Sequence, residues 1–375
     1  MRIVVDKDIP FIKGVLEEHA DVVYLEGRRI GPGDVQNADA MIVRTRTTCD
    51  RALLEDTNVR FIASATIGHD HIDADFCKAR GITWTNAPGC NSSSVQQYVA
   101  AALFSLADML KFTLAGMTVG VIGVGHVGTK VASLCRTLGM RVLLNDPPRE
   151  RQEGKGDFVP LETIIDQADI LTLHVPLNRA GPDKTLHLVD DRFLSRLKPH
   201  QVLLNTSRGE VVDMHALKAV LMNKGVKGCV LDVWENEPAI DAELLRLVDI
   251  ATPHIAGYSA DGKANGTAMS VQALSRFFGL GLDGWFPGDV PLPERTTWDL
   301  ACQGRLREEV LGAAVQVTYT ILADDLRLRR SPGTFEQQRA EYPLRREFPV
   351  YTLRLLHAGV DIATAAREIG FHLST

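Results

Sequence analysis

The stretch "VGVIGVGHVGTKVA", residues 119–132, joins an apolar run to a helix-like run through three glycines. Gly123, Gly125 and Gly128 stand in the spacing G-x-G-x-x-G directly after the apolar run. A glycine triplet alone is a weak signal, but here a strand precedes it and a helix follows. Gly123 suits a tight turn, Gly125 a close approach of backbone to a pyrophosphate, and Gly128 close packing of helix on strand. His126 and Val127 would then open the helix, where unpaired N–H groups and the dipole favour an anion. Asp146 lies eighteen residues past Gly128, at the end of the next strand in "LLNDPPR". A carboxylate there accepts from adenosine ribose hydroxyls and repels a 2′-phosphate, so NAD is the expected cofactor. Arg149, three residues on, weighs against that preference.

Outward from this loop, apolar strand-like runs alternate with helical ones. "MRVLLND", "ADILTLHVP", "HQVLLNTS", "GCVLDVW" and "VDIATPHI" read as strands, with helical stretches such as "MHALKAVLMNKG" between them. An earlier series, "RIVV", "DVVYL", "DAMIVR" and "VRFIASA", has the same character, with "KGVLEEHA" and "DRALLED" as covering helices. Strict alternation of this kind predicts parallel sheets wrapped on both faces. The Ser-rich opening of "TNAPGCNSSSVQQYVAAALFSLADML" marks a border near residues 92–97 and caps a long helix. Residues 281–300 are rich in Gly and Pro and read as a linker. The remainder is helical or mixed, has no phosphate loop of its own, and reads as an oligomerisation module.

With 375 residues the chain is long for one core, so two or three domains are expected. A net charge of −6 argues against nucleic acid as the partner. No apolar run reaches the length of a membrane helix, and no signal-peptide core follows the N-terminus. Cys49, Cys77, Cys90, Cys135, Cys229 and Cys302 form no C-x-x-C pair. They are read as reduced thiols of a cytoplasmic protein.

Three strand ends of the second series carry polar side chains: Arg208 in "NTSRGEVVD", Glu237 in "LDVWENEP" and His254 in "TPHIAGYS". Ligands bind beyond the carboxyl ends of such strands. Removal of hydride from a 2-hydroxy acid needs a guanidinium to grip the carboxylate and a base to take the hydroxyl proton. It also needs a carboxylate behind the base to orient it. Each residue alone could be an ion-pair, turn or core residue; their joint placement behind a dinucleotide loop favours catalysis.

These motifs, with "GVIGVGHVG", "LHVPL" and the rest, resemble the D-isomer-specific 2-hydroxyacid dehydrogenase family over residues 1–280. The stretches "VDKDIP", "MIVRTRT", "ATIGHDHID", "NAPGCNSSSV" and "HIAGYSADGKANGT" narrow the resemblance. They point to a branch acting on a phosphorylated 2-hydroxy acid. The resemblance implies an α/β fold with two doubly wound parallel-sheet domains and a C-terminal α+β dimerisation domain. The substrate domain would comprise residues 1–93 and 256–280, the Rossmann NAD domain 94–255, and the dimerisation domain 281–375, making a homodimer. It implies Arg208, Glu237 and His254 as the catalytic set and substrate contacts from Thr45, Thr66 and Tyr258. NAD contacts would come from His126, Val127, Asp146, Val175, Thr206, Ser207, Arg208, Asp232 and Gly257. Asp232 would accept from the nicotinamide amide. A substrate phosphate needs a further cation, for which Arg44 and Arg46 are the candidates by position and Lys263 a weaker one. The chain departs from the branch at Lys7 and at His126, which is read as tuning cofactor packing. Two alternatives stay open: a related enzyme for phosphoglycerate or glyoxylate and hydroxypyruvate, or a nucleotide sensor that keeps the loop without turnover.

Overall fold

The computed structural model describes residues 1–374. Its described residues form two compact units, one of residues 1–91 and 259–291, the other of 92–258 and 292–374.

The first unit is built on five strands: β1 (Arg2–Asp6), β2 (Asp21–Leu25), β3 (Ala40–Val43), β4 (Phe61–Ser64) and β5 (Thr83–Thr85). Their order is β2-β1-β3-β4-β5, all parallel. The central strands β3 and β4 are buried at every residue, as continuous apolar runs in a covered parallel sheet must be. The helix Ala260–Phe278 covers this sheet, and its Val271 and Leu274 pack with Ile3, Val5 and Phe61. Of the expected covering helices in this half, "DRALLED" yields one turn, Arg51–Leu54, capped by Asp50. "KGVLEEHA" yields a chain of turns instead of a helix. Positive φ at Phe11 and Gly14 interrupts helical hydrogen bonding there, and Glu17 takes the Gly14 and Leu16 N–H groups. Leu16 is buried and Val15 and Ala20 are half-buried nonetheless, so the apolar spacing reports burial without a helix.

The second unit holds a six-stranded sheet: β6 (Thr118–Ile122), β7 (Arg141–Asn145), β8 (Ile170–Leu173), β9 (Val202–Asn205), β10 (Gly228–Leu231) and β11 (Ile250–Ala251). The order β11-β10-β9-β8-β6-β7 is all parallel and reverses direction between β6 and β8. Such a switch point opens a crevice at the strand carboxyl ends. The long helix Ser92–Leu110 starts at the border read from the sequence, and most of its residues are buried.

Residues 292–374 add β12 (Thr297–Ala301), β13 (Thr352–Leu356) and β14 (His372–Ser374), a parallel sheet in that order, together with helices. This segment has its own sheet but shares its core. Leu311, Ala314, Val315 and Tyr319 sit in one apolar cluster with Tyr98, Leu103, Val230 and Ile250. The sheet and helices of this segment are the extra C-terminal α+β part that the sequence implies, with a core continuous with that of the second unit. All six cysteines are buried thiols. No helix among the described residues is long and apolar enough to cross a membrane.

Candidate active site

The glycine triplet lies between β6 and the helix His126–Thr137. Gly123 has φ +87°, and a Cβ there would come within 2.7 Å of the His174 backbone and 2.8 Å of Val175. A Cβ on Gly128 would stand 2.0 Å from the Gly123 carbonyl, so both positions exclude side chains. A Cβ on Gly125 would meet nothing within 4 Å. The loop thus packs tightly on its protein side at two glycines and opens at the third, as a backbone seat for a diphosphate should. His126 is exposed at the first turn of a helix whose N-cap, Gly125, supplies no side-chain cap.

Asp146 follows β7 and accepts the N–H groups of Val124 (2.8 Å) and Arg149 (3.1 Å). The carboxylate is thereby anchored beside the phosphate loop with lone pairs to spare. Arg149 is committed elsewhere: its guanidinium pairs with Glu153 at 2.8 Å through Nε and Nη2, and Nη1 donates to the Val124 carbonyl. The cation that weighed against NAD is largely neutralised. Asp146→Ala is therefore expected to cut kcat/KM for NAD roughly tenfold and narrow the preference over NADP. Parallel kinetics with the two nucleotides check this, and an unchanged ratio would remove Asp146 from cofactor selection.

Arg208 follows β9. Asn205, fully buried, shapes the turn that presents it: its amide donates to the Arg208 carbonyl (2.8 Å), while its Oδ1 accepts from the Ser207 N–H and hydroxyl. The Arg208 Nη1 donates to the Ser207 carbonyl at 2.8 Å. Thr206 reaches His174 Nδ1 at 3.2 Å, and Thr172 reaches its Nε2 at 3.0 Å. Burial pushes His174 down to about 3, so it stays neutral as a bridge between β8 and β9.

Glu237 and His254 come from the ends of β10 and β11 and meet. His254 Nδ1 lies 2.8 Å from Glu237 Oε2, and Glu237 Oε1 accepts the Trp234 N–H at 2.9 Å. Burial pushes the Glu237 carboxyl up, but the His254 charge and hydrogen bond, the Trp234 N–H and the Arg339 charge together hold it below the usual range. The pair is partly exposed, His254 at 31% and Glu237 at 19%, so a substrate can reach the ring. His254 has φ +55°. A left-handed non-glycine costs ~1–3 kcal/mol and persists only where its surroundings over-determine it. Asp232 supplies part of that determination. Its backbone carbonyl takes the His254 N–H, and its carboxylate takes the N–H groups of Ile255 (2.7 Å) and Ala256 (2.9 Å) and the Thr252 hydroxyl (2.7 Å). Asp232 is thus engaged by the His254 loop, and the amide contact implied for it would be a fourth.

Residues 91–256 match the family model described as D-isomer specific 2-hydroxyacid dehydrogenase, NAD binding domain, and residues 291–366 match a domain of unknown function. A Bacteroides fragilis erythronate-4-phosphate dehydrogenase is 49% identical over 94% of this chain and 99% of its own length. An Escherichia coli protein of that name is 39% identical over 99% of this chain and 98% of its own. This chain belongs to the erythronate-4-phosphate dehydrogenase family. Among solved structures, the Aquifex aeolicus D-lactate dehydrogenase with NAD and lactic acid aligns at TM-score 0.64 and 26% identity. That alignment covers 78% of this chain and all of that one, which leaves about the length of the C-terminal segment outside the shared family fold.

Other residues singled out in this member of the family fall in different places. Tyr258 closes the His254 loop, its N–H on the Ile255 carbonyl, with the Tyr342 ring edge-on at 6.1 Å. Val175 packs on Gly123, and Gly257 is half-buried. Thr45, Arg44, Arg46 and Thr66 belong to the first unit, after β3 and β4. Thr66 shares a hydrogen bond with the Ser64 hydroxyl, which also meets buried His71. Arg44 is held by Asp6 at 2.9 Å and Asp8 at 3.2 Å, so its charge is already balanced by carboxylates. Sequence reasoning did not single out Arg339, whose charge bears on Glu237. It is largely buried, stands 5.5 Å from the Tyr258 ring centre, and pairs with Glu336. Nothing in "EQQRAEY" distinguishes it from a solvated surface charge.

Proposed function

We propose that the protein oxidises 4-phospho-D-erythronate at C2 with NAD, giving (R)-3-hydroxy-2-oxo-4-phosphooxybutanoate and NADH in pyridoxal 5′-phosphate biosynthesis. The observation that carries this reading is the His254–Glu237 pair at 2.8 Å, set at strand ends of the sheet that bears the glycine loop. The names of the relatives supply the substrate.

Gly123, Gly125, Gly128 and the first turn of the helix beginning at His126 would seat the NAD diphosphate, and Asp146 its adenosine ribose. NAD, when bound, supplies the hydride acceptor. With Nδ1 engaged by Glu237, His254 offers Nε2 to the C2 hydroxyl and takes its proton. Glu237, ionised throughout the neutral range, stabilises the imidazolium that results. Arg208 grips the substrate carboxylate through two parallel N–H bonds. Arg44 and Arg46, in the loop after β3, are the cations proposed for the substrate phosphate.

NADH formation with 4-phospho-D-erythronate, beside 3-phosphoglycerate, D-lactate and D-glycerate, tests the assignment. Preference for the four-carbon phosphate supports it. Equal or better turnover of another acid keeps the chemistry and removes the substrate, and no turnover of any would favour a nucleotide sensor.

We further propose that the protein is a cytoplasmic homodimer assembled through its C-terminal segment. Leu306, Leu322, Leu326, Leu344, Leu356 and Val360 are large apolar side chains exposed in this segment. Leu322 and Leu326 share one face of the helix Ile321–Arg330. Such exposure suits a partner surface of like chemistry. Leu322→Glu with Leu326→Glu is expected to shift sedimentation from dimer to monomer; an unmoved dimer places the interface elsewhere.

A further inference from the structure

The C-terminal segment was expected to serve assembly, yet it sends a fully buried arginine to the catalytic loop. Arg345 Nη2 donates to the carbonyls of Ile255 (3.0 Å) and Ala256 (2.6 Å) and to the Ser94 hydroxyl (2.5 Å). Ser94 in turn donates to the Ala256 carbonyl at 2.8 Å. The guanidinium stands 4.5 Å from the Tyr319 ring centre and 5.6 Å from that of Tyr342. Both tyrosine hydroxyls donate to buried Asp324, at 2.9 and 2.7 Å. A cation between two π faces, with carboxylates nearby, remains charged in a dry site.

Asp232 holds the N–H groups of Ile255 and Ala256, and Arg345 holds their carbonyls. The two residues after His254 are therefore fastened on both sides of the backbone by opposite charges. We propose that Arg345 is a positioning residue for His254, so that the C-terminal segment completes the active site of its own chain. The proposal rests on the reading of His254 as the base. A buried arginine with a purely structural task would have no need to bond the loop whose histidine sits in a left-handed conformation. Here both of its backbone acceptors lie within two residues of that histidine. Reacting groups displaced by about 1 Å lose on the order of 10²-fold in rate.

The test uses the full-length protein with 4-phospho-D-erythronate and NAD. Arg345→Met, Arg345→Lys, Ser94→Ala and His254→Asn are compared at a temperature well below each thermal midpoint. Arg345→Met is expected to lose roughly 10- to 100-fold in kcat, and the acid limb of its kcat/KM profile moves as the His254–Glu237 pair loosens. Arg345→Lys recovers part of kcat, because an ammonium keeps a charge and one carbonyl contact. Ser94→Ala leaves the guanidinium in place and is expected to lose a few-fold. A folded Arg345→Met with kcat and pH profile of the parent overturns the proposal. Where that variant does not fold, parental kinetics in both Arg345→Lys and Ser94→Ala overturn it. An active His254→Asn would instead overturn the base assignment, which keeps the two failures apart.

Discussion

His254→Asn is expected to lower kcat/KM by ~10²–10⁴-fold, the usual worth of a positioned base, with little change in thermal stability. The ring is partly exposed, and asparagine tolerates the left-handed backbone and can still donate to Glu237, so a large stability loss is not expected. Glu237→Gln keeps the shape and a hydrogen-bond acceptor for His254 but removes the charge that stabilises the imidazolium. It should cost on the order of tenfold to a hundredfold in kcat/KM. Steady-state kinetics of the three proteins check both statements, and a Glu237→Gln variant with parental kcat/KM would remove the carboxylate from support of the base.

The same pair carries a stability consequence with a definite sign. The folded-state pKa of Glu237 lies below its usual value, despite burial. Its contribution to stability is therefore complete above the unfolded value, about 4.3. That contribution is lost as pH falls through the lower folded value. Acid unfolding of Glu237→Gln should lack this component, while the neutral-pH difference between the two proteins is already established at pH 5 and above.

Arg208→Lys is the second large effect. An ammonium can keep the charge but not two parallel bonds, so one charge-assisted bond worth ~1.5–3 kcal/mol is lost, or roughly 10- to 100-fold in kcat/KM. Arg208→Ala should lose about the square of that, ~10²–10⁴-fold, and added guanidinium should restore part of it. Neither change touches the Asn205 side chain that shapes the turn, so thermal midpoints should stay close to the parent. A lysine variant with parental kcat/KM would remove the bidentate anchor.

Much of this site was legible because its residues sit where local rules leave few choices. Gly123 and Gly128 stand where a Cβ would collide with backbone, and β6 and β8 read as strands because both their faces are covered. Arg208, Glu237 and His254 could be singled out because each ends a strand of one parallel series. The reading failed where burial and helix part company, as in "KGVLEEHA". That Asp6 and Asp8 stand beside Arg44 was not legible either, because those pairs join residues 38 and 36 apart in the chain.

What the sequence by itself determined is the pair of parallel-sheet domains, the dinucleotide loop and the three polar strand-end side chains proposed for catalysis. These depend on periodicity and on glycine sterics, which act within a few residues. Only the tertiary structure decided that Asp232 and Arg345 hold the His254 loop, that Arg339 lies beside Tyr258, and that the C-terminal segment shares the core of the second unit. Arg345 is 89 residues from Ala256 along the chain. No local pattern marks an arginine whose role is fixed by a contact at that separation, because its desolvation is compensated only once the distant carbonyls, rings and carboxylates have been brought around it.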